Sequence, residues 1–219
     1  MKLNVVSYNI KHGVLADHDF SLIADDILKY DPDLVGLQEL DLYTARSPGL
    51  DELAMIAQSM GYEHYRFARA IDYKGGQYGC GIISRYPIKE FTVHDMEVFF
   101  HQEGRSCSHA VIEIGGKDVN FFNTHANGHP TNGTSQSMFS QINKIIRGKE
   151  YGILTGDFNS RYEHGFYPLL EGYDAADKGE SIDNICFTKE FKLLSYGKAP
   201  KKNSDHALMF AVLEFDGEI

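Results

Sequence analysis

Tryptophan is absent from the 219-residue chain, and cysteine and proline are scarce, with three and six residues. The cysteines, Cys80, Cys107 and Cys186, are odd in number and widely spaced, which fits reduced thiols better than a disulfide framework. No two of them form a C-x-x-C pair, which disfavours a thiolate zinc site as well. We therefore expect a protein of the reducing cytoplasm.

Long apolar runs are also missing, since none reaches the ~20 residues that a membrane-spanning helix needs. The opening stretch, MKLNVVSYNIKHG, has neither the apolar region nor the small-residue cleavage site of a secretion signal. There is no internal repeat, low-complexity tract or Pro/Gly/Ser-rich linker. We expect one domain over residues 1–219, monomeric and without a membrane partner.

Positive charge is in deficit, because 21 Lys and Arg stand against 31 Asp and Glu, giving a net charge of −10. Duplex nucleic acid is held by many Lys and Arg contacts to phosphate, so this balance disfavours a general DNA-binding protein. A divalent cation would offset the negative charge locally. Nucleic acid stays open as a substrate but is not favoured.

Apolar periodicity predicts strands interrupted by a few helices. Strands are predicted at 3–9, 34–38, 78–84, 108–114, 119–124, 152–155, 182–187 and 207–215. Helices are predicted from Asp19 to a stop at Asp31-Pro32-Asp33, at 50–60 and at 135–147. The glycines of 75–81 lack the Gly-Lys-Ser/Thr ending of a P-loop, which favours a flexible loop leading into a strand. Many strands with three helices indicate sheet packed on sheet, with the helices outside.

Polar side chains cluster where the predicted apolar strands end. The residues concerned are Asn9, Glu39, His125, Asp157, Asn159, Asp183, Asp205 and His206. A rigid strand positions such groups and leaves them open to ligands. One such ending alone is ordinary, because Asp and Asn at strand ends usually make turns or cap helices. Repetition at six strand ends favours a catalytic site.

The same segments resemble the successive motifs of the endonuclease/exonuclease/phosphatase superfamily. In order they are SYNIKHG, DPDLVGLQEL, GIISRYPI, FFNTH, LTGDFN, SIDNICF and SDHALMFAVLEF. Each motif is weak alone, but their order and spacing over nearly the whole chain make the resemblance specific. It implies a deoxyribonuclease I-like fold, a four-layer α/β sandwich of two mixed β-sheets with helices on the outside.

The resemblance also implies a metal centre and a water-activating group. Glu39 matches a metal-binding glutamate, with Asn9 and Asp205 beside the metal. Mg²⁺ is the expected ion, with Mn²⁺ as a substitute, because hard cations prefer oxygen ligands. Asp157 would orient or deprotonate the attacking water, and Asn159 would hold the phosphate or the nucleophile.

Two histidines complete the machinery that the resemblance implies. His206 would act as acid/base or stabilise the transition state, and Asp183 would accept its ring N–H. His125 would donate to a non-bridging phosphate oxygen. Arg105 is a candidate for contact with a substrate phosphate, although a solvated arginine at a strand start is the favoured interpretation. Many members have Leu after the Thr-His motif, and the stretch that replaces it here leaves His129 without a role.

The implied reaction is metal-assisted hydrolysis of a phosphodiester or phosphomonoester by in-line attack of water. The acidic composition and short chain favour a small soluble phosphoester as substrate. A nuclease is the alternative among enzymes. A non-catalytic binding module that retains the fold is the alternative from another class, although such modules usually lose a metal carboxylate or the histidine, and neither is missing here.

Overall fold

A computed structural model describes residues 1–99, 101–128 and 133–217. The strands are β1 (Lys2–Asn9), β2 (Leu34–Leu42), β3 (His64–Tyr73), β4 (Gly76–Ser84), β5 (Ile88–Met96), β6 (Arg105–Ile114), β7 (Lys117–His125), β8 (Gly152–Asp157), β9 (Tyr173–Ala175), β10 (Asp183–Thr188), β11 (Lys192–Lys198) and β12 (Met209–Glu214). The helices are α1 (Phe20–Leu28), α2 (Glu52–Met60) and α3 (Thr134–Ile146), with short 3-10 turns at Lys11–Ala16, Tyr162–His164 and Tyr167–Leu169.

These strands form two six-stranded sheets, in the orders β11-β12-β1-β2-β4-β3 and β5-β6-β7-β8-β10-β9. Both sheets are mixed, because β1 pairs parallel to β2 and β7 parallel to β8 while the other strand pairs are antiparallel. Apolar side chains of both sheets, such as Val5, Phe121 and Ile153, form a buried core between them. The expected sandwich is confirmed.

The helices cover the outer faces of the sheets. Helices α1 and α2 pack on the first sheet through Ile23, Ile27 and Ile56, and α3 packs on the second through Phe139 and Ile142. Asp19, where the helix was predicted to begin, caps α1 by accepting a hydrogen bond from the Ser21 amide, at 3.1 Å. Among the described residues, no helix is both long and apolar enough to span a membrane.

The sequence prediction missed β3, β5, β9 and β11, and these are the strands at the four sheet edges. An edge strand buries little of its surface, so its apolar alternation is diluted; β11, for example, is exposed or half-buried throughout. The prediction of a flexible loop over 75–81 is wrong. Strand β4 already begins at Gly76, and β3 and β4 form a hairpin across Lys74 and Gly75.

Candidate active site

The strand ends that carry the predicted site residues meet at one end of the sandwich. Parallel pairing places Asn9 beside Gln38 in the first sheet and His125 beside Asp157 in the second. Strand β10 runs antiparallel to β8, so its first residue, Asp183, lies opposite Asp157. Residues from both halves of the chain therefore reach one edge, because the carboxyl ends of parallel neighbours coincide.

Asn9 connects the two sheets at this edge. Its Nδ2 donates to Glu39 Oε1 at 3.0 Å and to Asp157 Oδ2 at 3.0 Å. Its Oδ1 accepts from the Lys11 amide at 3.0 Å, which fixes the orientation of the side-chain amide. Asn9 thus presents nitrogen to the two carboxylates and separates their charges.

Strained backbone positions Glu39 and Asn159. Glu39 has φ +57° and Asn159 has φ +47°, in the left-handed region of the backbone that residues other than glycine rarely adopt. Glu39 lies where the register of β2 against β4 shifts, between Leu37 and Leu40. Such a bulge turns a side chain out of the regular alternation, so Glu39 points to the end of the sandwich. Strain held in place by its surroundings is typical of functional sites.

Glu39, His125 and Asp157 offer ligand atoms that all lie within 4.8 Å of one another. Asp157 is almost fully buried. Burial and the charge of Asp183 raise the pKa of Asp157 to about 7, against the opposing effects of His206, Asn159 and Asn9. A buried carboxylate that is poorly compensated by protein groups gains from a bound cation. The two carboxylates therefore fit a hard divalent ion.

His206 is held by Asp183. The His206 Nδ1 atom lies 2.9 Å from Asp183 Oδ2 and 3.1 Å from Oδ1, and its Nε2 is 3.7 Å from Asp157 Oδ2. Burial lowers the pKa of His206, but the hydrogen bond and charge of Asp183, with the charges of Asp157 and Asp205, raise it to about 9. His206 is therefore an imidazolium at neutral pH.

His125 is in the opposite protonation state. Burial, then the charges of Arg105 and His206, hold the pKa of His125 well below its usual value. Its Nε2 lies 3.0 Å from Asn159 Nδ2, and the same amide nitrogen donates to the Ala126 carbonyl at 3.0 Å. Nε2 thus accepts from Asn159, so the donation to phosphate expected of His125 would require this hydrogen bond to break.

Asp205 and Arg105 are each paired with another charged side chain. The Asp205 carboxylate, 46% exposed, pairs with Lys11 Nζ at 2.6 Å. Asp205 belongs to neither of the two clusters of potential metal ligands in the described residues, which are Glu39 with His125 and Asp157, and Asp157 with Asp183 and His206. The Arg105 side chain is only 10% exposed and contacts Glu103, so the favoured interpretation of Arg105 as a solvated arginine is wrong. Arg105 Nε donates to Asn127 Oδ1 at 2.8 Å. His129 lies outside the described residues.

A buried polar network beneath the site was not anticipated from the sequence. Asn123 Oδ1 accepts from Gln38 Nε2 at 2.7 Å and from Thr155 Oγ1 at 3.1 Å. Its Nδ2 donates to the carbonyls of Leu37 and Gly81 at 2.8 and 2.9 Å, across the gap between the sheets. The available signal was the spacing of two between Asn123 and His125, which places both on one face of a strand.

A two-sheet sandwich that holds clustered carboxylates and a carboxylate-bound imidazolium at one end defines a class of metal-assisted hydrolases. The chain belongs to the Endonuclease/Exonuclease/phosphatase family, whose sequence profile matches residues 6–206. Members of this family are hydrolases that act on phosphoester bonds and typically depend on a divalent metal. This chain is accordingly a phosphoester hydrolase.

Solved structures share the fold at low sequence identity. An endonuclease/exonuclease/phosphatase from Beutenbergia cavernae is 19% identical with a TM-score of 0.83, covering 98% of this chain and 72% of that one. A mannosyl-6-phosphatase from Bacteroides thetaiotaomicron is 20% identical with a TM-score of 0.77, covering 97% and 100%. The human Nocturnin catalytic domain with bound sulfate is 19% identical with a TM-score of 0.74, covering 98% and 93%. No curated protein matches the sequence.

Proposed function

We propose that this chain is a Mg²⁺-dependent hydrolase of a small soluble phosphoester, folded as one domain over 1–219, monomeric and cytoplasmic. The observation that carries the proposal is a continuous chain of polar contacts across the two sheets. It runs from Glu39 through Asn9 and Asp157 to His206 and Asp183, with separations of 2.9 to 3.7 Å. The three free cysteines are buried, which suits a reducing compartment.

Glu39 and Asp157 would hold the divalent ion, with Mn²⁺ as a substitute for Mg²⁺. The bound ion would polarise a phosphoryl oxygen and offset charge on the leaving oxygen. Asn9 would keep both carboxylates in position through its two N–H donors. Asp205 would coordinate the ion only after its ion pair with Lys11 breaks, so its role in metal binding is the least direct.

Asp157 would accept a proton from the attacking water. A general base must be ionised when the water binds. Burial, then the charge of Asp183, raise the pKa of Asp157 in the metal-free protein, and the charge of a bound cation would lower it again and keep the carboxylate ionised. The backbone N–H of Asn159 donates to Asp157 Oδ1 at 2.9 Å and orients the carboxylate. Asn159 Oδ1 and the neighbouring His125 would then contact the phosphate or the water.

His206 would stabilise charge on the phosphoryl group and protonate the leaving oxygen. Asp183 receives the Nδ1 proton, so the Nε2 proton is directed to the reacting atoms. Because Asp183 also favours the charged ring, His206 enters the reaction as the acid. The proton taken by Asp157 and the proton given by His206 balance the hydrolysis.

A small substrate is favoured by the charges around the site. Four basic side chains near this end of the sheets form ion pairs with acidic side chains, so they are poorly available to contact the phosphates of a nucleic acid backbone. The pairs are Lys11 with Asp205, Arg46 with Asp41, Arg105 with Glu103 and Lys198 with Asp177. The structural similarity to a mannosyl-6-phosphatase supports a sugar phosphate as the substrate. The sulfate bound to the Nocturnin catalytic domain supports a tetrahedral oxyanion as one group of that substrate.

The test is hydrolysis of a panel of phosphomonoesters and phosphodiesters with Mg²⁺, with Mn²⁺ and with a chelator. We expect turnover that the chelator abolishes and that Asp157→Ala and His206→Ala reduce strongly. Unchanged turnover in both variants would refute the assigned roles. Linearisation of a supercoiled plasmid at low protein concentration, without turnover of small esters, would favour the nuclease alternative. Absence of Mg²⁺ binding with tight binding of a protein partner would favour the non-catalytic module.

A further inference from the structure

Three segments that are distant in the sequence meet around Asn159. They are residues 103–105 at the start of β6, residues 126–128 directly after β7, and residues 157–159 at the end of β8. Strand β7 lies between β6 and β8 in the second sheet. The 126–128 segment therefore lies between the other two.

The side-chain amide of Asn159 is oriented by two acceptors. Its Nδ2 donates to the Ala126 carbonyl at 3.0 Å, and it lies 3.0 Å from His125 Nε2, which accepts the second hydrogen. The reversed amide would bring Oδ1 against the Ala126 carbonyl oxygen, and neither atom could donate. Oδ1 is therefore the polar atom of this amide that is left for a ligand. Because Oδ1 only accepts, its partner must carry a proton, as the attacking water does and an ionised phosphate oxygen does not.

The 126–128 segment is joined closely to Asp157 and Asn159. The backbone N–H of Ala126 donates to the Asp157 carbonyl at 2.8 Å. Gly128 lies directly against Asn159, because a Cβ at Gly128 would be 2.0 Å from the Asn159 carbonyl oxygen and 2.4 Å from Asn159 Cβ. The left-handed backbone of Asn159 also depends on the groups that surround it. A shift of the 126–128 segment would therefore move Asn159 with it.

Asn127 fastens the same segment to the start of β6. Arg105 Nε donates to Asn127 Oδ1 at 2.8 Å, and Asn127 Nδ2 donates to the Glu103 carbonyl at 2.8 Å. The Arg105 guanidinium is held in turn by the Glu103 carboxylate. A hydrogen bond from a charged donor is stronger than one between neutral groups. Asn127 is thus fixed through both atoms of its amide although it is only half-buried.

We propose that Asn127 and Gly128 are positioning residues for the attack of water, and that they act through Asn159. Asn127 anchors the 126–128 segment on β6, and Gly128 lets the backbone of that segment lie against Asn159. The stretch that departs from the family pattern after His125 thereby acquires a role. The part given to Asn159, which orients the attacking water through Oδ1, rests on the proposed function, whereas the contacts that hold its amide do not.

The first test is steady-state kinetics of Asn127→Ala on one phosphomonoester with Mg²⁺. We expect kcat to fall about tenfold to a hundredfold, because a small misplacement of a group that orients the reactants has an effect of this size. KM should change little. Gly128→Ala should lower kcat in the same way, because its added methyl group would push against the Asn159 backbone.

Asn120→Ala is the matched control. Asn120 is also half-buried, and its amide also joins β7 to other segments, through the Glu150 carbonyl at 2.8 Å and His109 Nε2 at 2.8 Å. It lies near the start of β7, away from Asn159. We expect Asn120→Ala to leave kcat unchanged. Equal losses in Asn127→Ala and Asn120→Ala would overturn the proposal, because they would show a general effect of loosening β7.

A double-mutant cycle separates positioning from a structural role. When Asn159→Ala has removed the group that is positioned, Asn127→Ala should lower kcat no further, because residues that act as a unit are not additive. If Asn127→Ala causes the same loss with and without Asn159, the two residues act independently and the proposal is overturned.

A readout that needs no turnover is the side-chain amide signal of Asn159 in heteronuclear NMR of the metal-free protein, assigned through its absence in Asn159→Ala. Its hydrogens should exchange with water at least about fivefold faster in Asn127→Ala and Gly128→Ala, the factor for one lost hydrogen bond. Asn120→Ala should leave the exchange unchanged. Unchanged exchange in Asn127→Ala and Gly128→Ala would overturn the positioning role. If the signal responds as expected and the unaltered protein hydrolyses no phosphoester, the proposed function fails while the placement of Asn159 by this segment stands.

Discussion

The two ends of the layer between the sheets differ in chemistry although the same strands build both. Far from the site, inward-facing positions are apolar: Leu3, Val5, Leu34, Phe121, Ile153 and Ile185. Two to four residues further along the same faces they are polar: Ser7, Asn9, Gln38, Asn123, His125, Thr155, Asp157 and Asp183. One end is stabilised by burial and the other by hydrogen bonds.

This difference shows how much stabilisation from apolar burial the fold gives up at its catalytic end. Apolar side chains gain roughly 25 cal/mol per Å² that they bury, whereas buried polar groups only break even when every partner is present. Asn123 meets that demand for its own amide group and binds both sheets at once, whereas Gln38 Oε1 and His125 Nδ1 at the same end are buried without a hydrogen-bond partner. Gly36 is needed beneath it, because a Cβ there would lie 2.0 Å from Thr155 Oγ1 and 2.7 Å from Asn123 Oδ1.

The largest expected effect is on activity at the polar end. His206→Ala should lower kcat by roughly 10²–10⁴-fold, the usual contribution of a general acid. Ile185→Val, at the apolar end, should leave kcat unchanged. Steady-state kinetics on one phosphomonoester checks both. Equal losses in the two variants would remove the functional distinction between the ends.

The next largest effect is on stability. Asn123→Leu should lower the free energy of unfolding by about 2–6 kcal/mol, because two buried groups that lose their partners cost about 1–3 kcal/mol each. Ile153→Val, a matched apolar change, should cost only about 1 kcal/mol. Urea denaturation measures both. If Asn123→Leu proves as mild as Ile153→Val, the network does not hold the sheets together.

A third prediction concerns the charge on His206. The pKa of His206 is about 9 because Asp183 outweighs burial, so Asp183→Asn should lower it by about two units towards the ordinary value. The stabilisation from this pair is complete below about pH 6.5 and is lost as pH rises through 9. NMR titration of the imidazole in metal-free protein is the measurement. A pKa that stays near 9 in Asp183→Asn would mean that another group holds the proton.

A fourth prediction concerns the pH dependence of stability that comes from Glu52, a buried residue at the start of α2. Burial raises the pKa of Glu52 to about 8 although its carboxylate accepts the Asp41 amide hydrogen bond. Its contribution is therefore greatest below about pH 4.5 and is lost as pH rises through 8, by at most ~1.4 kcal/mol per pH unit. Glu52→Gln should remove that slope from urea-unfolding curves at pH 5 to 8. If the free energy of unfolding depends on pH in the same way in both proteins, the raised pKa of Glu52 is contradicted.

Whether a strand could be predicted from the sequence depended on how much of it is covered by neighbouring strands, sheets and helices. The eight strands inside the sheets are found from their apolar runs, because both neighbours and a helix or sheet cover them. The four edge strands are not, since solvent on one side dilutes the pattern. Asp205 shows a further limit, because its pairing with Lys11 depends on a contact 194 positions apart in the chain.

Site residues were identified through ordered motifs, and their geometry required coordinates. The register shift that turns Glu39 outward depends on β4, which is distant in sequence. The acceptor state of His125 depends on Asn159 and Ala126, and local sequence carries no record of either hydrogen bond. Residue types at strand ends are thus readable from sequence, whereas protonation states and partners are not.

The central claim is that one site is shared by two sheets, and a double-mutant cycle tests it most directly. Glu39→Gln alters the first sheet and Asp157→Asn the second, and kcat is measured for both single variants and the double variant with Mg²⁺. Residues that act as a unit are strongly non-additive, so the double variant should be little slower than the slower single variant. If the two losses simply multiply, the carboxylates act independently and the shared site is contradicted.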